Sequence, residues 1–396
     1  MSIYQSRCHV YNGPGDVERA TWDLTCGPTD IMLRINVCGR CGTDRRLFTT
    51  AHPRVHTPTV LGHELVGRVV EVGRDVPALT EGIGYRQGQT LDRATLCPPL
   101  GQRVTVQPRV ARYRDGLMLM EDPIQNLSFQ IPGAYAQFMR VTAEMIQAGA
   151  VLPIPDGVPD DEGALVEPTA CALESIYATP HAIGVTEDGH HRFHSGVKPG
   201  GRTLVIGSGS LAMIYARLAR TVGAGEVWLL VRSPEKVALI TAVLGDWPEF
   251  RIVPDYASLP LPDKLTLEAE LEQELRDLTR GQLFDDVVLA CASKDAQRLA
   301  FRLLNPDGYA AIACFAGLHD VSEAAQVDLL HYRLGKAFGT SGCSTRTMEA
   351  VINWLESGRL SLQGLTCPHH YTLDDDPAEF LQTRGDGRKP MLYPWE

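Results

Sequence analysis

No apolar run in the sequence approaches the about 18 residues that a membrane-spanning helix requires, which argues against a membrane protein. Basic charge is also short. Lys and Arg number 37 against 48 Asp and Glu, a formal charge of −11, and nucleic-acid binding that is blind to sequence needs a basic face. Met1-Ser2-Ile3-Tyr4-Gln5-Ser6-Arg7-Cys8 lacks the apolar core of a signal peptide, so the expected location is cytoplasmic. Internal repeats and low-complexity tracts are missing. Of the ten cysteines only Cys38 and Cys41 stand close together, which excludes a disulfide framework in a reducing compartment. Cys8, Cys26, Cys171, Cys291, Cys314 and Cys367 read as reduced packing residues. Cys38 reads the same way, because a single CxxC needs a second pair to build a zinc site.

What is present fits a soluble enzyme of two domains: 396 residues, 44% hydrophobic and 21% charged. The first half is all-β in character. Half-buried strands are expected over 31–37 and 65–73, and further strands over 101–108 and 134–141. A turn follows at 153–156, then a helix over 163–177 behind the acidic residues Asp160, Asp161 and Glu162, which suit a helix N-terminus. Residues 178–200, polar and rich in Gly and His, read as an extended connection. His181, His190, His191 and His194 within it read as a solvated loop. From Arg202 the pattern changes to buried strands at 203–206, 227–231, 286–290 and 309–313, alternating with helices that include 235–244 and 265–278. Such alternation implies a doubly wound parallel sheet. A late helix is expected over 348–357, and the tail from 385 carries too much Pro and Gly for an assignment.

Two short stretches carry candidate chemistry in the first half. Val37-Cys38-Gly39-Arg40-Cys41-Gly42-Thr43-Asp44 is followed about twenty residues later by Gly62-His63-Glu64. Cys41 and His63 are the donor types that zinc prefers, and Glu167 in Val166-Glu167-Pro168-Thr169 can add a carboxylate. A catalytic zinc needs about three protein ligands and an open position.

The second half carries Gly207-Ser208-Gly209-Ser210-Leu211-Ala212 between a buried strand and a helix. There Gly207 permits a tight turn, Gly209 lets the backbone approach a pyrophosphate, and Ala212 allows close packing of helix on strand. The N–H groups that open the helix, from Ser210 and Leu211 onward, favour phosphate. At the end of the next strand an NAD enzyme usually places Asp or Glu. This chain has Val231-Arg232-Ser233-Pro234-Glu235-Lys236, in which Arg232, Ser233 and Lys236 suit a 2′-phosphate, and this favours NADP over NAD.

Taken together, Cys41-Gly42-Thr43-Asp44, Gly62-His63-Glu64, Val166-Glu167-Pro168 and the glycine motif resemble the zinc-containing medium-chain dehydrogenase/reductase family, in its polyol and sugar branch. That resemblance implies a GroES-like, mostly-β catalytic domain over 1–178 and 345–396, and a Rossmann cofactor domain over 179–344. It implies a catalytic zinc on Cys41 and His63 with Glu167 or Glu64, a hydroxyl relay at Thr43, and Asp44 as the group that orients a ligand. Members commonly form dimers or tetramers. The stretch from Gln107 to Tyr135 has no cysteine, where many members carry a structural zinc lobe, so one catalytic zinc and no structural zinc is expected. Arg46 occupies the place of a relay His and cannot act as a base. Phe284-Asp285-Asp286-Val287, Phe315-Ala316-Gly317, His331-Tyr332 and Gly339-Thr340-Ser341-Gly342 are similar to L-sorbose-1-phosphate reductase-like members. The implied activity is hydride transfer between NAD(P)(H) and a secondary alcohol or ketone of a sugar, polyol or sugar phosphate. Arg45, Arg46, Arg109, Arg112 and Arg114 are candidate phosphate partners. Alternatives within reach of the same motifs are a zinc-free quinone or enone reductase, an aminocyclitol enzyme, and a non-catalytic, crystallin-like nucleotide binder.

Overall fold

A computed structural model describes residues 2–79, 97–110, 113–114, 117–118, 125–253, 255–306, 312–315 and 335–396. The chain divides into two compact units, Met1–Ala170 with Cys343–Glu396, and Cys171–Gly342. None of the described helices is long and apolar enough to cross a membrane.

The first unit is built on a seven-stranded sheet. Its path runs Val151–Pro153, Arg103–Val106, Glu64–Val72, Ile31–Gly39, Lys389–Leu392, Thr366–Tyr371, and Phe138–Val141 also pairs with Ile31–Gly39. Ile31–Gly39 is therefore central. Met32, Leu33, Ile35, Val37 and Cys38 are all fully buried on it, so both of its faces are covered, where the sequence pattern suggested a half-buried strand. Its partners in the core include Leu65, Val69, Val104, Tyr135 and Phe380. A three-stranded sheet of Asp16–Thr25, Ile3–Gly13 and Thr59–Val60 and two short two-stranded sheets, Arg109–Val110 with Gln125–Asn126 and Tyr113–Arg114 with Leu117–Met118, belong to the same unit.

Several sequence expectations are corrected here. The helix expected over 163–177 is two helices, Asp160–Ala164 and Val166–Tyr177, and the acidic trio forms the first turn of the former. The strand expected from 134 begins at Phe138, after an isolated bridge between Ala136 and Cys8. The 153–156 turn is entered from a short strand, Val151–Pro153, paired with Arg103–Val106. The tail without an assignment holds Lys389–Leu392, which pairs parallel to Thr366–Tyr371 and antiparallel to Ile31–Gly39.

In the second unit a six-stranded parallel sheet runs Glu249–Ile252, Glu226–Val231, Arg202–Ile206, Asp286–Leu289, Ile312–Phe315, Lys336–Gly339. In order of sequence this is 3-2-1-4-5-6, the doubly wound arrangement that binds dinucleotides at its switch point. Leu204, Ile206, Leu230, Leu275, Phe284, Val287, Leu289 and Phe301 form one core. The helix expected from 265 starts at Leu261, where Pro262 suits a first turn that has no N–H partner to lose.

The connection expected over 178–200 is instead an antiparallel hairpin, Pro180–Val185 with His191–Ser195. His181 is not solvated. It is fully buried, with Nε2 2.7 Å from Asp286 Oδ1. The 316–334 part of the reductase-like stretches, together with Arg112, lies outside the described residues.

Candidate metal centre and nucleotide loop

Strand register brings the first set of donors together. Gly39 pairs with Glu64 at the shared end of the antiparallel strands Ile31–Gly39 and Glu64–Val72. Cys41 lies two residues beyond that pair and His63 one residue before it, so a thiol and an imidazole far apart in sequence emerge at one sheet end. One donor atom from each of Cys41, His63 and Glu64 lies within 4.8 Å of the others.

Cys41 caps the helix Gly42–Leu47. Its Sγ accepts from the Thr43 backbone N–H at 3.4 Å, and Asp44 Oδ2 accepts from the Cys41 N–H at 3.2 Å. Asp44 is buried, accepts from the Tyr135 hydroxyl at 2.6 Å, and places Oδ1 3.8 Å from His63 Nδ1. Burial raises the Asp44 carboxyl, against the lowering pull of His63 and Tyr135. Ser128 Oγ lies 3.4 Å from the same His63 nitrogen. Burial alone would lower the His63 imidazole, but Cys41, Asp44 and Glu167 around it hold it well above its ordinary value. Gly62 enters this corner at φ +95°, and a Cβ there would fall 2.6 Å from the Tyr135 ring and 2.9 Å from Cys38 Sγ. Glycine is the residue that this turn admits.

Glu64 is 1% exposed, and its Oε1 accepts from Lys389 Nζ at 2.7 Å. Lys389 is buried too; desolvation opposes its charge, and Glu64 and Cys41 restore it, leaving the ammonium above its ordinary value. The other Glu64 oxygen, Oε2, and Asp44 Oδ1 are buried with no hydrogen-bond partner among the described residues. Buried carboxylate oxygens normally find a donor or a cation. Two that lack one, beside a thiol and an imidazole, fit a divalent metal of zinc's ligand preference.

Glu167, in the first turn of Val166–Tyr177, is buried and acts electrostatically on His63, but it stands outside the Cys41–His63–Glu64 group. Its carboxylate lies within 4.8 Å of the Cys343 sulfur. Sequence reasoning missed Lys389 and Cys343, as well as Ser128 and Tyr135. No local spacing ties these residues to the motifs, and only sheet pairing and chain return bring them in.

In the second unit Gly207 takes φ +146°, and a Cβ there would lie 3.0 Å from the Ala290 carbonyl. The helix Ser210–Thr221 follows, with Gly209 at its N-cap and no side chain capping its first N–H groups. Ser210 and Leu211 open the helix, and Ala212 is fully buried against the sheet. Past the strand Glu226–Val231, Arg232 is exposed and its Nη1 stands 3.5 Å from Asp255 Oδ2. Ser233 caps the helix Pro234–Leu244, which carries Lys236 in its first turn. The Ser233 side chain hydrogen-bonds the Glu235 carboxylate and lowers it. Carboxylates therefore do stand beside this strand end, supplied by Asp255 and Glu235 and not by the end residue itself.

A GroES-like β unit and a Rossmann unit with a glycine turn together make the fold of medium-chain dehydrogenases/reductases. Residues 27–86 match the alcohol dehydrogenase GroES-like domain. With the relatives named below, this match supports a medium-chain dehydrogenase/reductase of the zinc-type, polyol dehydrogenase branch. It is 26% identical over 221 residues to an L-threonine 3-dehydrogenase of Ruegeria pomeroyi, a match covering 55% of this chain and 54% of that protein. The chain thus spans about half the length of this relative. With a sorbitol dehydrogenase of Halalkalibacterium halodurans the identity is 26% and the match covers 93% of each chain. The fold is also that of 2R,3R-butanediol dehydrogenase from Bacillus subtilis, at a TM-score of 0.73 and 18% identity, covering 98% of this chain and 99% of that one.

Proposed function

We propose that this chain is an oxidoreductase that moves a hydride between NADP(H) and a secondary alcohol or ketone of a sugar, polyol or sugar phosphate. It would use one zinc held by Cys41 and His63 with Glu167 or Glu64. The observation that carries the reading is the convergence of Cys41, His63 and Glu64 donor atoms within 4.8 Å, with two buried carboxylate oxygens left without donors around them. Zinc, when bound, supplies Lewis acidity that polarises a carbonyl oxygen and acidifies an alcohol.

The chain's own residues do the rest. Asp44, fixed by Tyr135 and by the Cys41 N–H, holds its carboxylate 3.8 Å from His63 Nδ1 and acts on the ring through its charge. Lys389 holds Glu64 in place through one oxygen. The Thr43 hydroxyl passes the substrate proton outward, and water receives it, because Arg46 cannot act as a base. The Gly207–Gly209 turn and the uncapped N–H groups of Ser210–Thr221 bind the pyrophosphate. If the substrate carries a phosphate, Arg45, Arg46 or Arg109 receives it.

Arg232 decides the cofactor. Its exposed ion pair with Asp255 at 3.5 Å is weak, so a 2′-phosphate displaces the carboxylate. Charge-assisted hydrogen bonds contribute about 1.5–3 kcal/mol each, so Arg232→Ala raises the Kd for NADPH roughly 10- to 100-fold and leaves NADH within about twofold. Fluorescence titration with both cofactors checks this, and equal losses for the two would assign the site to NAD. Assaying NADPH and NADH oxidation against ketoses and their 1-phosphates tests the substrate class. Turnover confined to quinones or enones would displace the sugar reading.

A further inference from the structure

We propose that Arg40, Arg45 and Arg384 form a binding site for the phosphate group of a phosphorylated substrate. The inference deepens the sugar-phosphate reading of the function and rests on it. Arg40 Nη2 donates to the Thr383 carbonyl at 2.8 Å, and Arg45 Nε donates to the Gln382 carbonyl at 3.3 Å. Guanidiniums from just past the strand Ile31–Gly39 and from the helix Gly42–Leu47 therefore meet consecutive carbonyls at the end of the helix Pro377–Gln382. Arg384 is the next residue. Arg40 is 7% exposed, and its Nε is buried with no hydrogen-bond partner among the described residues. None of the three arginines forms an ion pair with a described residue. Asp386, two residues beyond Arg384, is engaged by Arg388, and Glu64, the register partner of Gly39, by Lys389.

Capping the helix accounts for only part of this arrangement. A helix C-terminus carries about half a negative charge, against the three full positive charges gathered at this turn. Burial, and then the charges of Arg384 and Arg40, push the Arg45 guanidinium below its ordinary value. A buried cation without a counter-charge is costly, so the cluster suits an anion that arrives with a ligand. The class of anion follows from the donors. One bidentate guanidinium satisfies a carboxylate, whereas a phosphate monoester brings three terminal oxygens and close to two charges. Substrate and cofactor are both sources of that group. The cofactor's phosphates already have the Gly207–Gly209 turn and Arg232. Arg40 directly precedes Cys41, with about 3.8 Å between consecutive Cα atoms. Its N–H donates to the carbonyl of Pro390, the neighbour of Lys389, at 3.0 Å. The cluster is thus rooted one residue from the thiol donor, which assigns it to the substrate.

Titration calorimetry of the full chain in low-salt, phosphate-free buffer, with fructose 1-phosphate, fructose and NADPH, tests this. The wild type is expected to bind fructose 1-phosphate at least about 10-fold tighter than fructose, and added inorganic phosphate weakens that binding. Arg40→Met raises the Kd for fructose 1-phosphate about 10- to 100-fold and leaves that for NADPH within about twofold. Arg384 is exposed, so Arg384→Ala folds even if Arg40→Met does not. It raises the Kd for the ester about two- to fivefold. A wild type that binds the ester no tighter than fructose, or an ester Kd that neither variant moves, overturns the site. Loss of NADPH affinity in the variants with ester affinity intact overturns the substrate assignment in favour of the cofactor's phosphates. Binding is read without turnover, so the two readings fail separately. Tight, arginine-dependent binding of the ester by a protein that reduces neither ketose supports the site and overturns the proposed reduction.

Discussion

Lys389→Met is expected to destabilise the metal-free first unit by about 3–5 kcal/mol, the loss typical of removing one partner of a buried ion pair. The pair is Glu64 Oε1 with Lys389 Nζ at 2.7 Å, and both residues are out of solvent. Removing the ammonium leaves Glu64 with neither oxygen satisfied, since Oε2 already lacks a partner among the described residues. The lost attraction is the smaller part of the effect; the larger part is the uncompensated buried charge. The double variant Glu64→Gln with Lys389→Met therefore recovers most of the loss. Denaturant unfolding of the chelator-treated protein, run as a double-mutant cycle, measures both. A single-variant loss below about 1 kcal/mol, the range of exposed pairs, would mean that Glu64 has another route to solvent or charge.

The second large effect lies in the other unit. Asp286 accepts from His181 through Oδ1 at 2.7 Å and from the Lys198 backbone N–H through Oδ2 at 2.9 Å. Next to it, Asp285 accepts from Lys198 Nζ, the Arg202 N–H and Asn305 Nδ2, and these bonds overcome burial to hold its carboxyl below the ordinary range. Burial pushes Asp286 up in spite of His181 and the Lys198 amide. Asp286→Ala strands an imidazole nitrogen and a backbone N–H, each costing about 1–3 kcal/mol, so a loss of about 3–5 kcal/mol is expected. The loss is local. Hydrogen exchange should accelerate in Arg202–Ile206, Asp286–Leu289 and the hairpin Pro180–Val185, with the first unit unchanged. Unchanged protection in these strands would show that the His181–Asp286 pair contributes no net stability.

That pair also marks where the sequence stops being readable. His181 sits in a segment whose His, Arg and Gly residues mask strand alternation, and the signal available was the Asp188-Gly189 turn between two short runs. The alternation of buried strands and helices after Arg202 was legible because parallel strands are apolar on both faces. The glycine turn was legible because it needs particular residues at fixed offsets. Cys41, His63 and Glu64 stood out by donor type at strand ends, and the Gly39–Glu64 register explains why they meet.

Lys389 is 325 residues from Glu64, and Cys343 lies far beyond Glu167. Neither carries a local pattern. Their placement depends on a four-residue strand in a Pro- and Gly-rich tail, and on a chain segment that returns to the first unit at Cys343. Asp255 escaped notice for the same reason: it reaches Arg232 from beyond the neighbouring strand Glu249–Ile252.

Under the proposed function, turnover depends on a zinc ion held by Cys41 and His63. The most direct test is metal content per chain, measured with NADPH-dependent ketose reduction on wild type and Cys41→Ala. One zinc per wild-type chain is expected, and almost none in the variant. A fall in kcat on the order of 10³-fold or more is expected with it, the equivalent of several kcal/mol of lost charge stabilisation. A wild-type protein that turns over without zinc, or a Cys41→Ala variant that keeps both its zinc and its rate, would contradict that dependence.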